Sequence, residues 1–83
     1  MKTFTIKGLY LGRIGEEKNP TYYGTLQGAM KYADTSNFTH YGEDVRICIG
    51  DSVKAIQKWN KKVDEAGEYY EPEEWKIVKR GVR

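Results

Sequence analysis

The chain is short of the residues on which catalysis and metal binding most often depend. It has one histidine, His40, and one cysteine, Cys48. A lone cysteine forbids an internal disulfide and fits a reducing compartment. One Cys and one His cannot build a structural zinc site, and no acidic run has the spacing of calcium ligands, so neither metal nor cofactor is expected. His40 sits beside Tyr41 in a turn-like segment, with no partner in sequence to make it a general base. Cys48 lies in an apolar alternating segment whose nearby cation is Arg46, the setting of a buried, inert thiol. The glycines of GLYLGRIG match neither G-x-G-x-x-G nor a phosphate loop. No catalytic residue is therefore assigned. Long apolar runs are also missing: no stretch approaches the length of a membrane span, and MKTFTIKGLYLGRIG lacks the continuous apolar core of an export signal. A soluble, intracellular protein is expected. The net charge of +2 gives no overall pull toward nucleic acid.

What is present points to a thin core built with aromatics. The chain has 83 residues, enough for one domain over 1–83, and seven tyrosines and two tryptophans supply apolar mass with polar tips. Phe4, Ile6, Tyr10 and Ile14 recur at even spacing through TFTIKGLYLGRI, which predicts a first strand. Leu9 and Leu11 fall on its other side, so either both faces are covered after Gly8 or Gly8 marks a bulge that shifts the alternation. GEEKNP reads as a polar turn and TYYG as a short strand pairing back. TLQGAMKYAD then combines an N-cap, Thr25, with a stripe through Leu26, Ala29 and Met30, so a helix is expected over about 25–35. Gly28 inside it costs roughly 1 kcal/mol against alanine, and a glycine kept at that cost predicts a close approach between helix and sheet.

Val45, Ile47 and Ile49 alternate with Arg46 and Cys48 as in a strand. Residues 52–66 have two readings. Asp51 or Ser52 can cap a helix with Val53, Ile56, Val63 and Ala66 on one face and Gly67 as its stop. Alternatively IGDS is a tight turn and VKAIQKW a returning strand, followed by a loop. EWKIVKRGV is again strand-like, with Trp75 and Ile77 on one face and Val78 and Val82 on the other. The fold class is α+β: a small, mostly antiparallel sheet of about four to five strands packed by one helix, with 52–66 either a second helix or a hairpin strand plus loop.

The run YYGTLQGAMKYAD, followed by DVRICIG and by tryptophan-bearing segments, resembles small phage and prophage accessory proteins in which a T-L-x-G-A-x-x-x-A helix sits between strands. The resemblance covers roughly residues 4–60 and brings no catalytic residues. It implies a hairpin after the central strand, a place in the bacterial cytoplasm, and a role in binding and modulating or inhibiting a host protein, such as a defence or nucleic-acid-handling enzyme.

Two surfaces stand out. Asp64, Glu65, Glu68, Glu71, Glu73 and Glu74 place half of the twelve carboxylates within eleven residues, around Tyr69 and Tyr70. This segment reads as a charged arm for a partner protein, its two tyrosines exposed in a loop, because Gly67, Pro72 and the acidic neighbours disfavour a long regular element. The alternative is a small nucleic-acid-binding module. Lys58, Lys61, Lys62, Lys76, Lys79, Arg80 and Arg83 would contact phosphates weakly, beside Trp59 and Trp75 as stacking rings. Self-association stays open on either reading.

Overall fold

The structure, a computed structural model, describes residues 1–11, 17–35, 38–40 and 42–79. Its elements run β1 (Lys2–Lys7), β2 (Leu9–Leu11), β3 (Glu17–Lys18), β4 (Thr21–Gly24), α1 (Leu26–Ala33), β5 (Phe38–His40), β6 (Val45–Ile49), β7 (Ser52–Gln57), β8 (Trp59–Asp64), β9 (Gly67–Pro72) and β10 (Lys76–Ile77). This is the α+β architecture expected: one helix among the described residues, with antiparallel strands. A five-stranded sheet has the order β10-β7-β6-β1-β4, beside a three-stranded sheet β3-β2-β5 and the two-stranded β8-β9.

The alternating apolar residues of β1 and β6 build the core. Phe4 and Ile6 point inward with Val45 and Ile47, which are their neighbours across the antiparallel register Ile6↔Ile47, and all four are buried. Opposing residues in an antiparallel pair share a face, so one face of the sheet becomes apolar and the other takes Thr5, Lys7 and Arg46. Helix α1 packs Ala29 and Met30 onto the apolar face, against β4, β1 and β6.

Gly8 decides how the first segment divides. At φ +96° it takes a backbone conformation few other residues adopt, and a β-carbon there would strike the Asp44 carbonyl oxygen. The inward sequence then runs Phe4, Ile6, Leu9, so the alternation shifts by one at Gly8, and Leu9–Leu11 joins the three-stranded sheet. The single long first strand expected from sequence is therefore two strands in two sheets, with Ile14 outside the described residues. Glu17 and Lys18, expected in a turn, pair with Leu11 and Tyr10 as β3.

The helix starts as its sequence dictates. Thr25 is the N-cap, extended in its backbone, and its Oγ1 accepts the Gly28 N–H at 3.1 Å. Gly28 is a place of close approach, but to a ring rather than to backbone. A β-carbon at Gly28 would collide with the Tyr22 hydroxyl and lie 2.9 Å from its Cζ. Tyr22 tilts against Tyr32 at 5.2 Å between centroids, and Tyr32 meets Phe38 edge-on at 5.1 Å. These three rings run from the edge strand β4 over the helix to β5.

The helical reading of 52–66 is corrected: the segment is strand throughout except for Lys58 and the Glu65-Ala66 turn. The tight turn at Gly50-Asp51 returns the chain so that Val45 faces Gln57 and Ile47 faces Ala55. Sheet pairing wins because Ala55 and Gln57 can then be buried on the apolar side, whereas an isolated helix of that length gains little without packing.

Candidate functional site

From Ser52 to Ile77 the chain forms one long hairpin. Its base, β7 with β10, lies in the five-stranded sheet, and its outer part, β8 with β9, forms a sheet of its own. Between them Lys58 breaks the outgoing strand, while its carbonyl accepts the Glu73 N–H at 2.8 Å. Polar contacts fix the junction. Gln57 is buried, donating to the Glu73 carbonyl at 3.1 Å and accepting the Trp59 indole N–H at 3.1 Å. The Trp59 amide donates to Asp44 at 3.2 Å, the Trp75 indole to Asp34 at 3.3 Å, and Asn60 to the Glu73 carboxylate at 2.6 Å. The root is held from both strands, which aims the arm.

The arm itself is exposed at every residue from Lys61 to Glu74. Asp64-Glu65-Ala66-Gly67 closes it, with the aspartate first and the glycine fourth that suit a type I turn. Asp64 Oδ1 accepts the Ala66 N–H at 2.8 Å, and Gly67 takes φ +127° in open space. The expectation of Tyr69 and Tyr70 in a loop is corrected here. They lie in strand β9, opposite Lys62 and Lys61, where antiparallel pairing with β8 orders a segment whose side chains never enter the core.

Strand geometry puts the two tyrosines on opposite faces. One face has the pairs Trp59/Pro72, Lys61/Tyr70 and Val63/Glu68, with Lys61 and Glu68 in an ion pair at 3.1 Å. Tyr70 on this face lies over Gly42: a β-carbon at Gly42 would be 2.7 Å from its Cζ. The other face has Asn60/Glu71, Lys62/Tyr69 and Asp64/Gly67. Tyr69 therefore stands on the other side among Asp64, Glu71 and Lys62, and the two rings are equally exposed, at 42% and 43%. Sequence reasoning found both tyrosines but not their separation, which the D-x-x-G turn signal, once recognised, would have supplied.

The alternative basic residues do not share one face. Lys61 and Lys62 point to opposite sides of β8, and Lys61 is paired with Glu68. Both tryptophans pack against the core, their indole N–H groups bonded to Gln57 and Asp34. Lys76 lies in β10, across from Ile56, and Lys79 comes after it, exposed; Arg80 and Arg83 lie outside the described residues. A half-open groove of about 370 Å³ runs along the root of the arm, bounded by Leu9, Asp34, Phe38, Gln57, Trp59 and Pro72. Cys48 is buried, and His40 lies in β5 opposite Leu9. Among the described residues no group of three or more His, Cys, Asp or Glu is arranged to hold a metal, and no helix is long and apolar enough to cross a membrane. Comparison of the chain with protein-family models, with curated proteins and with solved structures finds no match.

Proposed function

We propose that this is a non-enzymatic interaction protein that holds a partner protein on the outer hairpin β8–β9 and modulates or blocks that partner's working surface. The observation behind this reading is that a segment which beyond Trp59 contributes nothing to the core is nevertheless ordered: paired along its length, closed by a short turn and tied at its root by buried Gln57. Binding groups on strands are held more firmly than groups on loops, which lowers the entropy lost on association. Tyr69, with Asp64 and Glu71 beside it, makes an amphipathic anchor within an acidic setting, and the matching surface is basic with a cleft for one ring. Glu65 at the turn extends the acidic surface, while Glu68, Glu73 and Glu74 act from its flank. The resemblance to phage accessory proteins suggests a host protein of the bacterial cytoplasm as the partner.

The test is capture from bacterial lysate with and without nuclease, followed by titration of the captured protein. Tyr69→Ser should weaken binding by at least about 2 kcal/mol, the scale of an interface hot spot, with an unchanged circular dichroism melt. Tyr70→Ser should lower the melt as well, because its ring covers Gly42. Affinity untouched by Tyr69→Ser removes the arm from the interface. Capture that vanishes with nuclease moves the function to nucleic acid.

A further inference from the structure

The face of the five-stranded sheet opposite the helix has a composition unlike the rest of the molecule. Its strands contain Lys2, Lys7, Arg46, Lys54 and Lys76 and not one aspartate or glutamate. Register decides which of these come together. Lys7 pairs with Arg46, Arg46 with Ile56, and Ile56 with Lys76, so the four side chains form one row across β1, β6, β7 and β10 on the side opposite the helix. Three strand spacings make that row about 14 Å long. Lys54, two residues from Ile56 on β7, flanks it, next to the irregular pairing at Ile47/Cys48. Lys7, Arg46 and Lys76 are exposed, and no carboxylate of the described residues lies within ion-pair distance of them or of Lys54. Asp44 and Asp51 lie outside the strands, the first accepting the Trp59 amide.

The same face also holds an aromatic ring in the open. Tyr23 pairs with Thr3, which shares the Lys7 side of β1, and 68% of its surface is exposed. Thr3 is four residues from Lys7, about 13 Å along the strand. Between them lie Thr5 and Thr21, with Cys48 beside Thr5 on the same face and buried.

From these positions we infer that this sheet face binds single-stranded nucleic acid, with Lys7, Arg46, Lys54 and Lys76 on phosphates and Tyr23 stacked on a base. Cations with no ion-paired carboxylate among the described residues attract a polyanion, and a sheet face with a projecting ring suits unpaired bases rather than a duplex groove. Sequence preference is small, because phosphate contact and stacking read no base edge. The site is separate from the arm and does not depend on the role proposed for it.

Fluorescence anisotropy of a labelled oligo(dT) of about ten nucleotides, within the usual site sizes, tests the inference over about 50 to 200 mM salt. Four phosphate contacts give a slope of log K against log salt of about −3, at about −0.7 each. Lys7→Gln with Arg46→Gln should halve that slope and weaken binding about tenfold at the low-salt end, while Lys61→Gln with Lys62→Gln leaves both unchanged. Tyr23→Ala should weaken binding at least about fivefold without altering the slope, which separates stacking from charge should the double substitution disturb the melt. The inference falls if the oligonucleotide is not bound at low salt. It also falls if the Lys61/Lys62 variant loses as much as the Lys7/Arg46 variant, or if phosphatidylserine vesicles are bound in preference. Sedimentation showing that the oligonucleotide-free chain pairs its acidic arm with this face of a second copy, and stays so paired when oligonucleotide is added, overturns it too.

Discussion

The five-stranded sheet and the outer hairpin are made of the same antiparallel pairing and are held together by different forces. In the sheet, Ile6, Ile47 and Ala55 are fully buried and the register is set by which side chains must leave water. In the hairpin nothing from Lys61 outward is buried, and the register is set by a turn, a ladder of backbone bonds and cross-strand pairs. A free two-stranded hairpin is marginal in water. This one persists because β8 continues from β7 and β9 leads into β10, so the sheet supplies the order that the arm does not generate. Charge divides along the same line: the sheet strands have cations alone, whereas Asp64, Glu68 and Glu71 outnumber Lys61 and Lys62 in the arm strands.

Deleting apolar volume in each region should produce the largest difference between them. Ile47→Ala should cost about 2–5 kcal/mol and shift the whole denaturation curve, whereas Val63→Ala in the arm, 70% exposed, should stay within about 0.5 kcal/mol. Equal effects in urea denaturation would mean that the arm shares the core. A smaller effect is expected at the helix. Gly28→Leu improves helix propensity by roughly 1 kcal/mol, yet must displace the Tyr22 ring from its place against Tyr32, so a net loss of about 1–2 kcal/mol is expected by thermal melting. A variant as stable as the parent would show that Tyr22 swings out freely. Smallest of all is the arm's ion pair. Glu68→Gln, which removes the pair, should change stability by less than about 1 kcal/mol, with both ends more than half exposed. Hydrogen exchange should then quicken in β8–β9 alone, and quickening across β6 and β7 would contradict the division.

Where burial makes the rule, the sequence is readable. Thr25 and the Leu26, Ala29, Met30 stripe mark the helix, and Phe4, Ile6, Val45 and Ile47 mark the two central strands, because water exclusion writes a period that side chains must obey. In the arm that constraint is absent. Lys61, Lys62, Glu68 and Glu71 are acceptable in a strand, a loop or a helix surface, so 52–66 fits two periods at once and β9 reads as a loop. The deciding signal is local: Asp64 first and Gly67 fourth in a turn. The basic row on the sheet face opposite the helix is hidden for another reason. Lys7, Arg46 and Lys76 are far apart in sequence, and only strand order and register bring them side by side.

The place of β1 between β4 and β6 has a consequence in time. Strand β1 can meet β4 soon after synthesis, but the neighbour of Ile6 on the other side, Ile47, lies 41 positions beyond it. At translation rates of about 5–20 residues per second, roughly 2–8 s pass before β6 has been made. Through that interval one edge of a strand containing Phe4 and Ile6 has no partner, and its exposed backbone is open to pairing with a neighbouring nascent chain. Lys2 and Lys7 at the two ends of that strand repel a second copy of it. Charges so placed disfavour edge-to-edge pairing of newborn chains before the finished sheet exists.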